Sequence, residues 1–250
     1  MARSTSSKLG FAGMVAVFAL AGCGSGHPAK SGAGYATFNW YIHDIEDTVA
    51  TPATALSCAE TGAASVVVTL TDQATGTAYT QNAVPCPDGV MSTAEVPAGN
   101  YTAGFDLYGD PAIYGNPPPL LDSFDATGTF HIVAGPNDFR SQYAPFIVQA
   151  FTVDWSVYYN AALSSCAAVG AAFVDLDFAV AGSAAWVTSQ FGCTASHGVS
   201  YSIPYGPATA QWKLYLVDAA GNDLQAIDGG TVTLPSTTNV NLAPQYFSFP

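Results

Sequence analysis

The residues best suited to chemistry stand together at His43-Asp44-Ile45-Glu46-Asp47. Carboxylates alternating along a loop offer hard oxygen ligands, and Ca²⁺ takes about six to eight of them. Asp44, Glu46 and Asp47 are therefore candidate metal ligands, although the stretch lacks the glycine turn of an EF-hand. Asp122 and Asp125 add ligands only if the fold brings them near. A second candidate is the stretch Tyr108–Leu121 (YGDPAIYGNPPPLL), where Tyr108 and Tyr114 beside prolines offer an aromatic platform for a sugar or a peptide. Each has a plainer alternative: a solvated acidic loop, and a proline-rich loop packed on its own domain. Catalytic groups are sparse. The four histidines, His27, His43, His131 and His197, form no H-x-x-H or H-E-x-x-H arrangement. No G-x-S-x-G elbow, P-loop or Rossmann glycine pattern occurs. A hydrolase remains open only through a triad assembled from distant residues.

The N-terminus carries an address. Arg3 and Lys8 lead into an apolar run of ten residues, Phe11–Leu20. That is too short to cross a bilayer, which needs about 20 residues, and it suits a secretory leader. The run closes on Leu20-Ala21-Gly22-Cys23, which resembles the lipobox of bacterial lipoprotein signals at every position. The resemblance implies diacylglycerol on the Cys23 sulfur, cleavage before Cys23 and a further acyl chain such as palmitate on the new amino group. More than one chain is what stable anchoring in a bilayer requires. Residues 1–22 then form the signal peptide, and residues 23–34, rich in Gly, Ala and Ser, a flexible tether. Gly24 follows the cysteine where an acidic residue would retain the protein at the inner membrane, which points to the outer membrane.

The mature chain keeps Lys30, Arg140 and Lys213 against 18 Asp and Glu, so its formal charge is 3 − 18 = −15. Phosphate binding needs clustered Lys and Arg, so nucleic acid is excluded as a partner. A hydrophobic share of 49% against 9% charged residues is also the opposite of a disordered composition. With 24 Gly and 16 Pro spread through the chain, turns are frequent and strands short, as in an all-β sandwich or barrel.

The chain repeats itself. Cys58 matches Cys166 and Gly62 matches Gly170 at an offset of 108, and Val66-x-Val68-x-Leu70 matches Val174-x-Leu176-x-Phe178 at the same offset. Cys86 then matches Cys193 at 107, as do Pro97-Ala98-Gly99 with Pro204-Tyr205-Gly206 and Phe105-Asp106-Leu107 with Trp212-Lys213-Leu214. Trp40 and Tyr41 correspond to Trp155 and, loosely, Tyr158. Gly128-Thr129-Phe130 corresponds to Gly230-Thr231-Val232. Two modules are expected, at residues 35–151 and 152–250, each near the common domain size. Their strands alternate with period 2, so one face is buried. The Ala-rich stretch Ala161–Ala172 is where a short helix competes.

With Cys23 given to lipid, four cysteines remain, and four allow three connectivities. The repeat places one pair in equivalent positions of each module and so selects Cys58–Cys86 and Cys166–Cys193. An exported protein meets the oxidising compartment that such bonds need. No C-x-x-C spacing favours metal instead.

The stretch Asp88-Gly89-Val90, then Val96-Pro97-Ala98-Gly99-Asn100-Tyr101 and on to Gly109, resembles transthyretin-like repeats. These occur as regulatory modules beside carboxypeptidases and as stalks of bacterial surface proteins. In the second module Pro204-Tyr205-Gly206 survives, but Ala208 stands where the tyrosine would be. The resemblance implies two tandem Greek-key sandwiches, transthyretin-like or Ig-like, and carries over no catalytic residue. The expected function is a non-catalytic, lipid-anchored envelope protein that meets a glycan or another envelope protein. A carbohydrate- or Ca²⁺-binding module using the long loops of the first module is the alternative, and a hydrolase the second.

Overall fold

Runs that alternate in the sequence alternate in burial along the chain. In the Trp40 strand every second residue from Ala36 to Ile42 is inside, and in the Leu176 strand every second residue from Val174 to Val180. The computed structural model describes residues 32–47 and 55–250, within one compact unit, Ser31–Pro250. Cys23, the signal sequence and residues 23–31 of the expected tether lie outside the described residues.

The first half of the chain supplies β1 (Ala33–Asp44), β2 (Ala63–Asp72), β3 (Ala78–Thr80), β4 (Val84–Pro85), β5 (Val90–Ser92), β6 (Val96–Pro97), β7 (Gly99–Gly109), β8 (Leu120–Asp125), β9 (Phe130–Ile132) and β10 (Gly135–Val148). The second supplies β11 (Phe151–Tyr159), β12 (Ala162–Ser164), β13 (Ala171–Val180), β14 (Val187–Gly192), β15 (His197–Val199), β16 (Thr209–Asp218), β17 (Asp223–Thr233), β18 (Val240–Asn241) and β19 (Gln245–Phe249). Each half builds two sheets, and no described sheet mixes strands from both. In the first half one sheet runs β10-β1-β5 with β6 also on β1, and the other runs β3-β2-β7-β8 with β4 on β2 and β9 on β7. In the second half β11 takes β12, β15, β18 and β19, and the facing sheet runs β14-β13-β16-β17. The chain is all-β, as expected. The sheets close on each other through aromatic rings: Phe38 of β1 meets Phe105 of β7 at 5.4 Å, and Phe151 of β11 meets Phe178 of β13 at 5.2 Å.

The two halves share one wiring. β1 pairs β10 in parallel and β5 antiparallel. β11 likewise pairs β18 and β19 in parallel and β15 antiparallel. A register break falls between Ala63 and Ser65 on β2 and between Ala171 and Phe173 on β13, again 108 residues apart. The facing strands correct the sequence match. Val66 pairs Leu107, and Val174 pairs Leu216. Leu107 thus corresponds to Leu216, and Tyr101 to Ala210, rather than to Leu214 and Ala208. A shift of two residues keeps every side chain on its face, so the pattern alone does not expose it.

Both disulfides form, Cys58–Cys86 and Cys166–Cys193, each with its Cα atoms 6.0 Å apart. Beside each sits the matched tryptophan. Trp40 Nε1 donates to the Cys86 carbonyl at 3.2 Å, and Trp155 Nε1 to that of Cys193 at 2.8 Å. The turn before the second strand is capped alike in both halves. Ser57 and Glu60 form a capping box on the four-residue helix α1 (Cys58–Thr61), and Ser165 caps the 3-10 turn Cys166–Val169. Gly62 and Gly170 close these turns at φ 71° and 74°, a conformation that a Cβ penalises. That 3-10 turn is the only helical piece within Ala161–Ala172, which otherwise yields strand.

Tyr101 Oη donates to the Pro97 carbonyl at 2.6 Å, which holds the turn into β7. The stretch between β7 and β8 forms a second four-residue helix, α2 (Pro111–Tyr114). Asp110 caps it, and Pro111 stands at its first turn.

Candidate functional site

β10 runs into β11 through Gln149 and Ala150, so the two halves meet where these strands end. The acidic loop after β1 lies at this junction. Asp44 Oδ1 accepts from Glu46 N at 2.8 Å, which folds the loop back on itself. Asn239 Nδ2 then donates to both oxygens of Asp44 at 2.8 and 2.9 Å. Asn239 N donates to Glu46 Oε1 at 3.1 Å, and Asn239 Oδ1 accepts from Ala150 N at 2.8 Å. Asp44 and Glu46, the expected metal ligands, thus bracket the second half of the chain, Asp44 through both carboxylate oxygens and Glu46 through Oε1. Asp47 is exposed, and its backbone N donates to Asp44 O at 3.0 Å. Among the described residues no three His, Cys, Asp or Glu side chains gather as a metal would require. His43 is buried, with Nδ1 3.1 Å from the Asp44 carbonyl and Nε2 without a hydrogen-bond partner.

Tyr114 is a correction of the same kind. The ring expected as an exposed platform is buried at the junction, where its hydroxyl lies 2.7 Å from the Ser202 carbonyl and 3.2 Å from that of Thr61. A Cβ at Gly109 would stand 2.6 Å from this ring, so only glycine admits it. Burial pushes the Tyr114 phenol well above its ordinary pKa. Tyr108 stays on β7, half-buried on the other face of that strand, and shares no surface with Tyr114. Its phenol is raised by partial burial and by Asp106.

Two clefts open between the halves. The first encloses about 520 Å³. Asp44, Leu56, Glu60 and Thr61 line it from the first half, and Ser189, Gln190, Phe191, His197 and Tyr201 from the second. Ser57 holds the Glu60 carboxyl below the usual carboxylate range, through its hydroxyl and its backbone N–H. Ser189 Oγ accepts from Tyr201 N at 3.0 Å, and Ser200 Oγ accepts from Phe151 N at 2.9 Å and donates to Tyr201 O at 2.7 Å. His197 Nδ1 meets Asp154 Oδ1 at 2.8 Å on an exposed rim. These serine hydroxyls serve the backbone, and His197 pairs with a carboxylate. Gln190 Nε2 donates to Asp175 Oδ1 at 3.0 Å, so the groups offered to a ligand are rings, the Gln190 amide oxygen, an imidazole and carboxylates.

The second cleft encloses about 560 Å³ between the start of β8 and the loop before β16. Ile45, Leu121, Asp122 and Ile147 face Ile203, Pro204, Tyr205 and Leu234 across it. Backbone bonds fix both walls: Tyr205 N donates to Leu120 O at 2.9 Å, and Ile203 N to Gln149 O at 2.7 Å. Asp122 accepts from Ile147 N at 2.7 Å. Asp125 lies apart, on the outer face of β8 opposite Gly104.

Asn239, Gln149, Tyr201 and Tyr205 were not singled out in the sequence. Each is an ordinary polar or aromatic residue in an unremarkable stretch, and only the meeting of the halves gives it a role. The repeat carried one signal: Tyr205 sits inside the Pro204-Tyr205-Gly206 turn.

No protein-family model matches the sequence, and no curated protein does. Solved structures give likenesses of shape. A fimbrial assembly protein from Parabacteroides distasonis is 9% identical with a TM-score of 0.35, over 82% of this chain and 86% of that one. A leucine-rich repeat protein from Bacteroides thetaiotaomicron is 16% identical with a TM-score of 0.28, over 87% of this chain. The pilus adhesin SpaC from Lactobacillus rhamnosus GG is 10% identical with a TM-score of 0.28, over 85% of this chain. This chain spans only 27% and 31% of the last two. At such identities and TM-scores the likenesses assign neither ligand nor activity.

Proposed function

We propose that this chain is a non-catalytic binding protein of the bacterial cell envelope, anchored through acylated Cys23, that holds a neutral glycan in the first cleft between two tandem modules, 35–151 and 152–250. One observation carries the reading. The cleft sets two aromatic rings, Phe191 and Tyr201, beside the hydrogen-bonding groups of Glu60, Gln190 and His197. Sugars present C–H faces that pack on rings and hydroxyls that need donors and acceptors together, and clefts between domains are common ligand sites. The lining holds no Lys or Arg, so an anionic ligand fits poorly. The lipobox and the matched disulfides support an exported, anchored protein.

Titration calorimetry against a panel of neutral envelope oligosaccharides tests the ligand. Binding by the full mature chain should weaken at least about tenfold in Gln190→Ala with His197→Ala, one lost hydrogen bond being worth about 1 kcal/mol. An unchanged melting curve must accompany the loss. Absence of binding across the panel would remove the glycan reading. The anchor has its own test: Cys23→Ser should abolish lipid labelling and free the protein from the membrane fraction.

A further inference from the structure

Asp122 is an unusual carboxylate for this chain. It is 9% exposed, on the wall of the second cleft, among Leu121, Ile147, Ile203 and Leu234. Burying a carboxylate is costly unless a cation or several donors compensate. Ile147 N donates to Oδ2, and Ser123 N–H also faces the group. A carboxylate has about four acceptor positions, so roughly half its capacity is left. His43, paired with Ile147 across β1 and β10, adds a field that favours the charged carboxylate.

Among the described residues neither Arg nor Lys meets this carboxylate. Arg140 is bidentate to Asp138 on an exposed stretch of β10, with contacts of 2.9 and 2.6 Å. Lys213 sits with Nζ 5.3 Å over the Trp186 ring. Residues 48–54 (TVATPAT) contain no basic residue.

We propose that the second cleft takes the side chain of a lysine presented by a peptide segment of another protein, with its ammonium on Asp122 and its methylene stem along the apolar walls. Charge complementarity selects the occupant: a strongly acidic chain offers at this cleft a buried carboxylate that no described Lys or Arg meets. The walls match the stem. Leu121, Ile147 and Leu234 provide apolar surface, and Tyr205, 63% exposed, presents a ring face that attracts an ammonium. A guanidinium seeks a planar, bidentate partner, whereas the single carboxylate of this cleft, already holding Ile147 N on Oδ2, suits the compact point charge of lysine. Both walls are pinned by backbone bonds before any ligand arrives, which lowers the ordering cost of binding. This site is separate from the glycan cleft, and either reading can fail without the other.

The test uses the full mature chain and calorimetry or ¹⁵N chemical-shift titration. The probe is acetyl-Gly-Ala-Lys-Ala-Gly-amide. The comparison ligands are the same peptide with Nε-acetyl-lysine, the same peptide with arginine, and cadaverine. The lysine peptide should shift Ile147, Asp122 and Tyr205. It should bind at least tenfold more tightly than the acetylated peptide, and more tightly than the arginine peptide or cadaverine. Asp122→Asn keeps an acceptor for Ile147 N and removes the charge; it should weaken the lysine peptide at least tenfold and leave glycan binding unchanged. Tyr205→Ala, at an exposed ring, should weaken the peptide about threefold. If Asp122→Asn does not fold, the acetylated peptide against the wild-type protein decides alone. Equal binding of the two peptides, or no binding of the lysine peptide, overturns the proposal and leaves Asp122 as an edge acceptor for β10. Cadaverine binding as tightly as the peptide overturns the peptide source.

Discussion

Trp40 and Trp155 show how much a single residue can hold. Each indole is buried and gives its one donor to the carbonyl of a disulfide cysteine. Trp155→Phe keeps most of the packing and leaves that carbonyl without its donor, which should cost about 1–3 kcal/mol in urea denaturation. Tyr114→Phe should cost a similar amount, because its one O–H donates to the buried Ser202 carbonyl of the other half at 2.7 Å. Asp122 sets a pH dependence. Burial raises its pKa in the folded chain, so the folded state holds this proton more tightly than the unfolded state. Its contribution to stability is therefore present in acid and is lost as pH rises from the ordinary aspartate value, about 3.9, through the raised folded value. Asp122→Asn removes that loss. Relative to wild type, the variant should be more stable at pH 7 than at pH 3.5, as read from urea midpoints at the two pH values. At this scale the sequence was legible for the cysteines and tryptophans, because the repeat marks them twice. It was not legible for Tyr114 or Asp44, because a side chain's partner across the chain leaves no local trace.

At the scale of elements, two of the bonds that join strands are covalent and equivalent. Cys58–Cys86 and Cys166–Cys193 close loops of nearly equal separation, 28 and 27 residues. Replacing either pair by alanines should therefore cost about the same, roughly 3–4 kcal/mol if loop entropy dominates. A large difference between the two in matched urea melts would show that native contacts, not loop length, set the cost. The bracket formed by Asn239 joins the loop after β1 to the start of β11. Asn239→Ala should lower the melting temperature by about 2–4 °C for each kcal/mol lost, and should broaden the small-angle scattering profile as the halves gain freedom. Period 2 made the long strands readable before any coordinates. It could not tell a register from one displaced by two residues, and so Trp212 was matched to Phe105 although Leu214 holds that place. Nor did the sequence foretell that β10 and β19 return in parallel to the first strand of their own half, since parallel pairing of distant segments has no local signature.

For the whole molecule, the low count of basic residues is the governing fact. Five Lys and Arg against 18 Asp and Glu, a formal charge of −13, leave little internal neutralisation, a balance that suits the neutral and cationic ligands proposed above. The clefts agree with that balance, one lined by rings and polar groups and the other closed on a carboxylate. No described helix is long and apolar enough to cross a membrane, so the membrane attachment proposed here rests on Cys23. The sequence by itself determined the all-β class, the doubling of the chain and the pairing of its cysteines. These follow from composition, alternation and repetition, which are properties of neighbouring or equivalent residues. Only the tertiary structure decided that the acidic loop is a bracket, that Tyr114 is a buried joint and that Asp122 faces a cleft. The reason is physical: whether a carboxylate or a ring is a site depends on what stands opposite it. In this chain what stands opposite comes from the other half, about 90 to 200 residues away for Tyr114 and Asp44.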